Sequence, residues 1–141
     1  MRVSSRADYG VRALFDLALR AGQGPVHSRD IAARQEIPEA YLHQVLGTLS
    51  RAGLVRSTRG PAGGHELARE PCEVSLFEIL TALDGVDKKP HPHPDGIGAA
   101  DVVHDVWHEM QEQSERLLRS LNLQTLVNRE AEREPPANYT I

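Results

Sequence analysis

Apolar positions recur with a helical period along most of this chain. In "SRADYGVRALFDLALRA", residues 5–21, Tyr9, Ala13, Leu14, Leu17 and Ala18 fall on one stripe, which predicts an amphipathic helix stopped by Gly22 and Gly24-Pro25. A short second helix is expected over 28–36, with Ser28 as N-cap and Ile31 and Ala32 on its apolar side, Ala33 at the margin. "EIPEA" breaks the pattern. Pro38 suits the first turn of a third helix, about 38–52, and Glu39 suits its positive end. Tyr41, Leu42, Val45, Leu46 and Leu49 form that helix's inward stripe, and Gly53 ends it. Two helices across a short turn, the second amphipathic, make a helix-turn-helix pattern.

The period then changes. "GLVRSTRGPAGGHELARE" contains two short extended runs, Leu54–Thr58 and His65–Ala68, around "RGPAGG". Arg56 and Arg59 flank a glycine-rich turn, so the hairpin is basic and reads as a wing following the helix-turn-helix. A helical pattern returns in "SLFEILTALDG", where Ser75 and Glu78 have capping-box spacing and Leu76, Ile79, Leu80 and Leu83 form the inward side. Residues 86–98, with three prolines and two glycines, read as a loop. From about Ala99 to Leu121 a long helix is expected, with Val102, Val103, Val106, Met110, Leu117 and Leu121 near heptad-like spacing. That stripe is long for the core of a 141-residue chain, so a partner helix is expected. "LQTLVNREAE" adds a short helical turn, and residues 131–141 read as a flexible tail.

Composition narrows the class. A chain of this length can bury one core unaided, and no apolar run approaches the roughly 18 residues of a membrane span. "MRVSSRADYG" lacks the apolar segment of a secretory signal. The one cysteine, Cys72, gives no disulfide framework and suits a reducing cytosol, so a cytoplasmic protein is expected. Cys72 itself is either a buried, inert thiol or a thiol sensor. The net charge of −4 conceals an uneven distribution. Residues 1–70 carry ten arginines against seven carboxylates, a balance of +3, and residues 71–141 carry six cations against thirteen carboxylates, a balance of −7. A basic half on an acidic carrier is compatible with nucleic-acid binding.

The chain resembles the Rrf family of bacterial winged helix-turn-helix regulators. The resemblance rests on "MRVSSRADYGVRALFDLAL", "PVHSRDIAARQEIPEAYLHQVLGTLSRAGLVRSTRGPAGGHELAR", "SLFEILTALDG" and the closing "LQTLV", and covers about residues 1–130. It implies a mainly α fold with a small β wing, a winged helix-turn-helix domain plus a long dimerisation helix. The expected organisation is a DNA-binding domain at 1–85, an effector loop at 86–98, the dimerisation helix and a helical turn at 99–130, and the tail beyond. It further implies a homodimeric regulator, in the main a repressor, on a partly palindromic stretch of double-stranded DNA.

Under that resemblance the third helix enters the major groove with Glu39, Ala40, Tyr41, His43 and Gln44 at the bases. Gln44 can pair bidentately with adenine, and Glu39 can accept from cytosine N4. Tyr41 belongs either to this set or to the core. The family often has an acidic residue where this chain has His43, so base preference is expected to differ. Arg59 resembles the family's wing-tip arginine, which enters a narrow minor groove, and Gly60, Gly63 and Gly64 allow close approach. Arg2, Ser4, Arg6 and Arg56 are expected at phosphates.

Cluster-bearing family members place three cysteines near the positions of Lys89, Asp95 and Asp101, and this chain has none there. A cysteine-ligated iron–sulfur cluster is therefore not expected. Four of the seven histidines, His91, His93, His104 and His108, gather in this corner instead. His104 precedes Trp107 by three residues, as a cluster-ligating histidine does in the iron–sulfur regulators. His104 and His108 are spaced i, i+4, a common half-site for zinc, nickel or copper. Asp101 or Asp105 could complete the set. Three readings stay open: a histidine-ligated divalent-metal sensor, a site that has decayed, and sensing of a small ligand or partner protein. A small metal-dependent enzyme is the rival from another class, and the chain offers it no nucleophile elbow, phosphate-binding glycine loop or paired-cysteine zinc motif.

Overall fold

The computed structural model describes residues 3–85 and 99–133. Its order is α1 (Ser5–Leu19), α2 (Ser28–Gln35), α3 (Glu39–Arg51), β1 (Val55–Thr58), β2 (Gly64–Leu67), a 3-10 turn (Pro71–Glu73), α4 (Leu76–Asp84), α5 (Ala99–Ser120) and α6 (Leu123–Arg133). The fold is mainly α with a two-stranded wing and a long helix, as the sequence pattern indicates.

α1 is the central element. Ser4 caps it by accepting the Ala7 N–H at 3.0 Å, and its stripe of Ala13, Leu14, Leu17 and Ala18 is buried against α2, α3, α4 and α6. Each fully buried leucine of this core contributes about 1.5–3 kcal/mol. Gly10 brings α1 and α4 together: a Cβ there would lie 2.2 Å from Leu83 Cδ1.

α2 differs from the sequence expectation at both ends. Ser28 is its first helical residue, and the N-cap is His27, whose side chain makes no capping bond while its carbonyl accepts from Asp30 and Ile31. Only Ile31 and Ala32 of α2 are buried, and Ala33 is exposed. The helix ends on Glu36 in the left-handed region, φ 54°, which turns the chain so that Ile37 is buried. Pro38 then takes the N-cap position of α3 rather than its first turn. α3 buries Leu42, Val45, Leu46 and Leu49. It closes in a Schellman motif at Gly53, φ 79°, with Gly53 N–H on Ser50 O and Leu54 N–H on Leu49 O, both 3.0 Å.

A weak apolar face needs another anchor, and α2 has one in Asp16 of α1. This carboxylate is fully buried, yet accepts from Arg34 Nε and Nη2 (3.0 and 2.9 Å), Arg20 Nη1 (3.1 Å) and Gln35 Nε2 (3.3 Å). Arg34 and Gln35 are the last residues of α2, so the network ties that helix to α1 where its packing is thinnest.

The strands pair antiparallel with Val55 opposite Leu67 and Thr58 opposite Gly64. Ser75 accepts the Glu78 N–H at 3.1 Å, but the Glu78 carboxylate does not complete the capping box; it pairs with Arg69 at 2.5 Å. α5 lies against α4 and ends where Leu121 O accepts the Leu76 N–H, and Leu123 N–H then bonds Val74 O. α6 is longer than the short turn expected, 11 residues, because Leu123 is buried and the helix packs back on α1. It runs to Arg133, into the segment expected to be tail.

If Asp16 anchors α2, removing its bidentate partner strands a buried charge. Arg34→Met is expected to cost about 3 kcal/mol in urea unfolding at fixed protein concentration. Arg56→Met, which breaks the largely exposed Arg56–Glu66 pair on the wing, is expected to cost under about 1 kcal/mol. Equal effects would contradict the anchoring role.

Candidate nucleic-acid interface

Because Leu42, Val45, Leu46 and Leu49 face inward, the period of α3 leaves Glu39, Ala40, His43 and Gln44 outward, and all four are exposed. Glu39 Oε1 lies 3.9 Å from His43 Nε2, one turn on. Tyr41 is half-buried and packs edge-on to Tyr9 with ring centroids 5.3 Å apart.

The wing is pinned near its turn end, at His65, to the residue before α2's cap. Val26 and His65 exchange backbone bonds, both 2.8 Å. Gly64, φ 149°, permits the approach, since a Cβ there would lie 2.6 Å from Val26 O. Gly63 is buried, and its Cβ would lie 2.1 Å from Thr58 O. Both glycines thus have an internal reason for being glycine. Gly60, φ 107°, has open space around it, as a turn at a wing tip requires.

Arg59 is exposed at that tip, and among the described residues no carboxylate pairs with it. Arg56, on the stem, pairs with Glu66 across the ladder at 3.1 Å. Ser4 and Arg6 are drawn to the end of α4: Ser4 Oγ donates to the Asp84 carboxylate at 2.6–2.8 Å, and Arg6 Nη1 donates to Leu83 O at 3.3 Å. Arg2 lies outside the described residues.

Sequence reasoning passed over His65 and His27. His65 is half-buried on β2 and shares a 2.7 Å hydrogen bond with Ser57 Oγ through Nδ1. Burial first, and then the proximity of His43 and His27, pushes its pKa below the ordinary histidine value. These three histidines are 16 or more residues apart, with no local signal linking them.

The other histidines lie on or near α5. His91 and His93 fall outside the described residues. His108 Nε2 is held by Glu112 at 3.0 Å, and His104 is half-buried on the same helix. Among the described residues no group of three or more histidine, cysteine or carboxylate side chains is arranged to hold a metal. A cluster on three cysteines does not fit this chain: its one cysteine, Cys72, is exposed in the 3-10 turn rather than buried. α5 itself presents Val102 (66% exposed), Trp107 (55%), Met110 (51%) and Leu117 (59%) to the outside. Among the described residues no helix is long and apolar enough to cross a membrane.

The depressed His65 has a consequence for stability. Its unfolded form binds a proton near pH 6.5 and its folded form only at lower pH, so acid favours the unfolded chain. Stability is expected to decline as pH falls below about 6.5 and to level off below the folded value. Chemical denaturation across that range should show a shallower decline in His65→Gln; parallel curves would mean His65 does not titrate in this window.

A family model described as "Iron-dependent Transcriptional regulator" (Rrf2) matches residues 3–129. The chain is 36% identical over 131 residues to the HTH-type transcriptional regulator IscR of Serratia proteamaculans (strain 568), covering 91% of this chain and 80% of that one. Among solved structures, T. potens IscR superposes with a TM-score of 0.82 at 36% identity, covering 99% and 95% of the two chains. CymR (YrzC), the global cysteine regulator of B. subtilis, superposes with a TM-score of 0.83 at 29% identity, covering 91% and 97%. These relatives are regulators rather than enzymes, and with the family model they establish that the chain belongs to the Rrf2 family of DNA-binding transcriptional regulators.

Proposed function

We propose that this protein is a homodimeric repressor that reads a partly palindromic operator with α3 and the wing. The observation that carries the reading is the common exposure of α3's polar face and Arg59 on one pinned unit. α3 enters the major groove, where Gln44 is suited to adenine and Glu39 to cytosine, with His43 and Ala40 beside them. Tyr41 supports the helix through Tyr9 rather than reading bases. Arg59 enters the adjoining minor groove, where negative potential is concentrated. Arg2, Arg6 and Arg56 position the chain on phosphates. Ser4 is the weakest of that set, because its hydroxyl already serves Ala7 and Asp84.

Two copies joined along the exposed stripe of α5 would present two reading units to the two half-sites. Effector sensing is assigned to residues 88–108, between the DNA-binding unit and that stripe, without a cysteine-ligated cluster. A metal there would have to recruit or displace the Glu112 carboxylate at His108 and draw on His91 and His93.

Arg59→Ala is expected to weaken binding to a specific duplex, selected from a random-sequence library by the purified protein, by about 1–3 kcal/mol. It should also lower the salt dependence by about one phosphate contact. Unchanged affinity in a salt-controlled titration would remove the wing tip from the reading.

A further inference from the structure

Gly47 has no internal reason to be glycine. It lies in the body of α3, where glycine is the least favourable residue after proline. A Cβ there would meet only Arg51 Nη1, at 3.4 Å, which is ordinary contact with the end of a flexible side chain. Gly10, Gly63 and Gly64 differ, because a Cβ at any of them would clash.

The helical period shows what Gly47 faces. Leu42, Val45, Leu46 and Leu49 point into the core, so the row directly opposite is Ala40, Gln44, Gly47 and Arg51. Gly47 thus separates Gln44 from Arg51, both of them exposed. The Arg51 side chain turns back along this row, as long helical side chains do. Its Nη1 lies over Gly47, and its Nη2 donates to Thr48 Oγ1 at 3.3 Å. The Thr48 hydroxyl in turn donates to Gln44 O at 3.2 Å. The guanidinium is therefore tied to the turn that carries Gln44.

This tether orients the charge without cancelling it. Arg20, Arg34, Arg56 and Arg69 are held by carboxylates, whereas among the described residues no carboxylate pairs with Arg51. An arginine kept only for the negative end of the helix would sit on the last carbonyls. Arg51 gives its guanidinium to a hydroxyl instead and leaves the rest of its fork free for an anion. With α3 taken as the DNA-facing helix, as proposed above, we infer that Arg51 is a further DNA contact. Its guanidinium, seated over the bare backbone of Gly47 and held by Thr48, grips the phosphate beside the base that Gln44 reads. Glycine at 47 lets the sugar–phosphate chain come close to the helix there. A phosphate contact positions the protein without specifying sequence, so its loss should be felt on any duplex.

The test is a fluorescence-anisotropy titration of the full chain, across a range of salt, on a duplex selected by it from a random library and on a scrambled one. Arg51→Gln should weaken binding about tenfold on both duplexes and lower the salt dependence by about one phosphate contact. Arg51→Lys, which keeps the charge, should retain the wild-type salt slope. Gly47→Ala should raise the urea midpoint, because alanine favours the helix, yet weaken DNA binding about threefold, and that second loss should vanish in an Arg51→Gln background. A purely structural role would not move stability and affinity in opposite directions. Unchanged affinity in Arg51→Gln, a loss confined to the selected duplex, or a Gly47→Ala loss that persists without Arg51 would overturn the inference. A loss in Arg59→Ala on the same duplex would then show that the DNA-reading face itself stands. If selection enriches no sequence at all, the reading of α3 fails, and this inference with it.

Discussion

The orientation of the helix-turn-helix depends on one buried carboxylate. Asp16 has no solvent and four donors, three of them from two arginines, and it links the last turn of the central helix to the end of α2. Without it α2 would rest on Ile31, Ala32 and the single bond from Arg12 Nη1 to the Gln35 carbonyl (3.2 Å). Removing a carboxylate from water costs several kcal/mol, and only the completeness of its partners offsets that. A charged anchor has a geometric advantage over a greasy one here, because Arg34's fork accepts a single direction of approach. From that anchored end the chain turns through Glu36 and buries Ile37, which sets where α3 begins and hence which side chains point outward.

A second restraint fixes the wing to the same unit. The Val26–His65 pair lies at the entrance to α2, so hairpin and helix-turn-helix share a backbone junction rather than a flexible hinge. Arg69 strengthens the exit side, reaching the Glu78 carboxylate and the Glu73 carbonyl. Under the proposed function, that fixed spacing between α3 and the wing suits a ligand whose major and minor grooves alternate at a fixed spacing.

Much of this was legible in the sequence, and for a common reason: local periodicity and turn chemistry act over a few residues. The stripe of Ala13, Leu14, Leu17 and Ala18 and the stop at Gly53 follow from such rules, as does the Ser75 cap. The misreadings were of long-range origin. Ser28 has a cap's chemistry, but the backbone pairing of Val26 with the wing sets the helix start one residue earlier, at His27. Glu78 fits a capping box until Arg69, nine residues away, takes its carboxylate. α6 lengthened because Leu123 finds a place in the core beside α1. Tyr41's edge-on contact with Tyr9 likewise joins residues far apart in the chain. The burial of Asp16 has no signature within a short window of sequence.

The long helix completes the account. An apolar stripe from Val102 to Leu117, with Trp107 in its middle, remains largely exposed in one chain, and its burial between two copies would release that surface from water. Pairing there would set the separation of two reading units, and with it the spacing of the two half-sites. The mass of the protein, alone and on its selected duplex, tests this arrangement most directly by analytical ultracentrifugation. Two chains in solution and an even number on each duplex are the result the account predicts. A single chain in solution that binds the duplex one to one would contradict it.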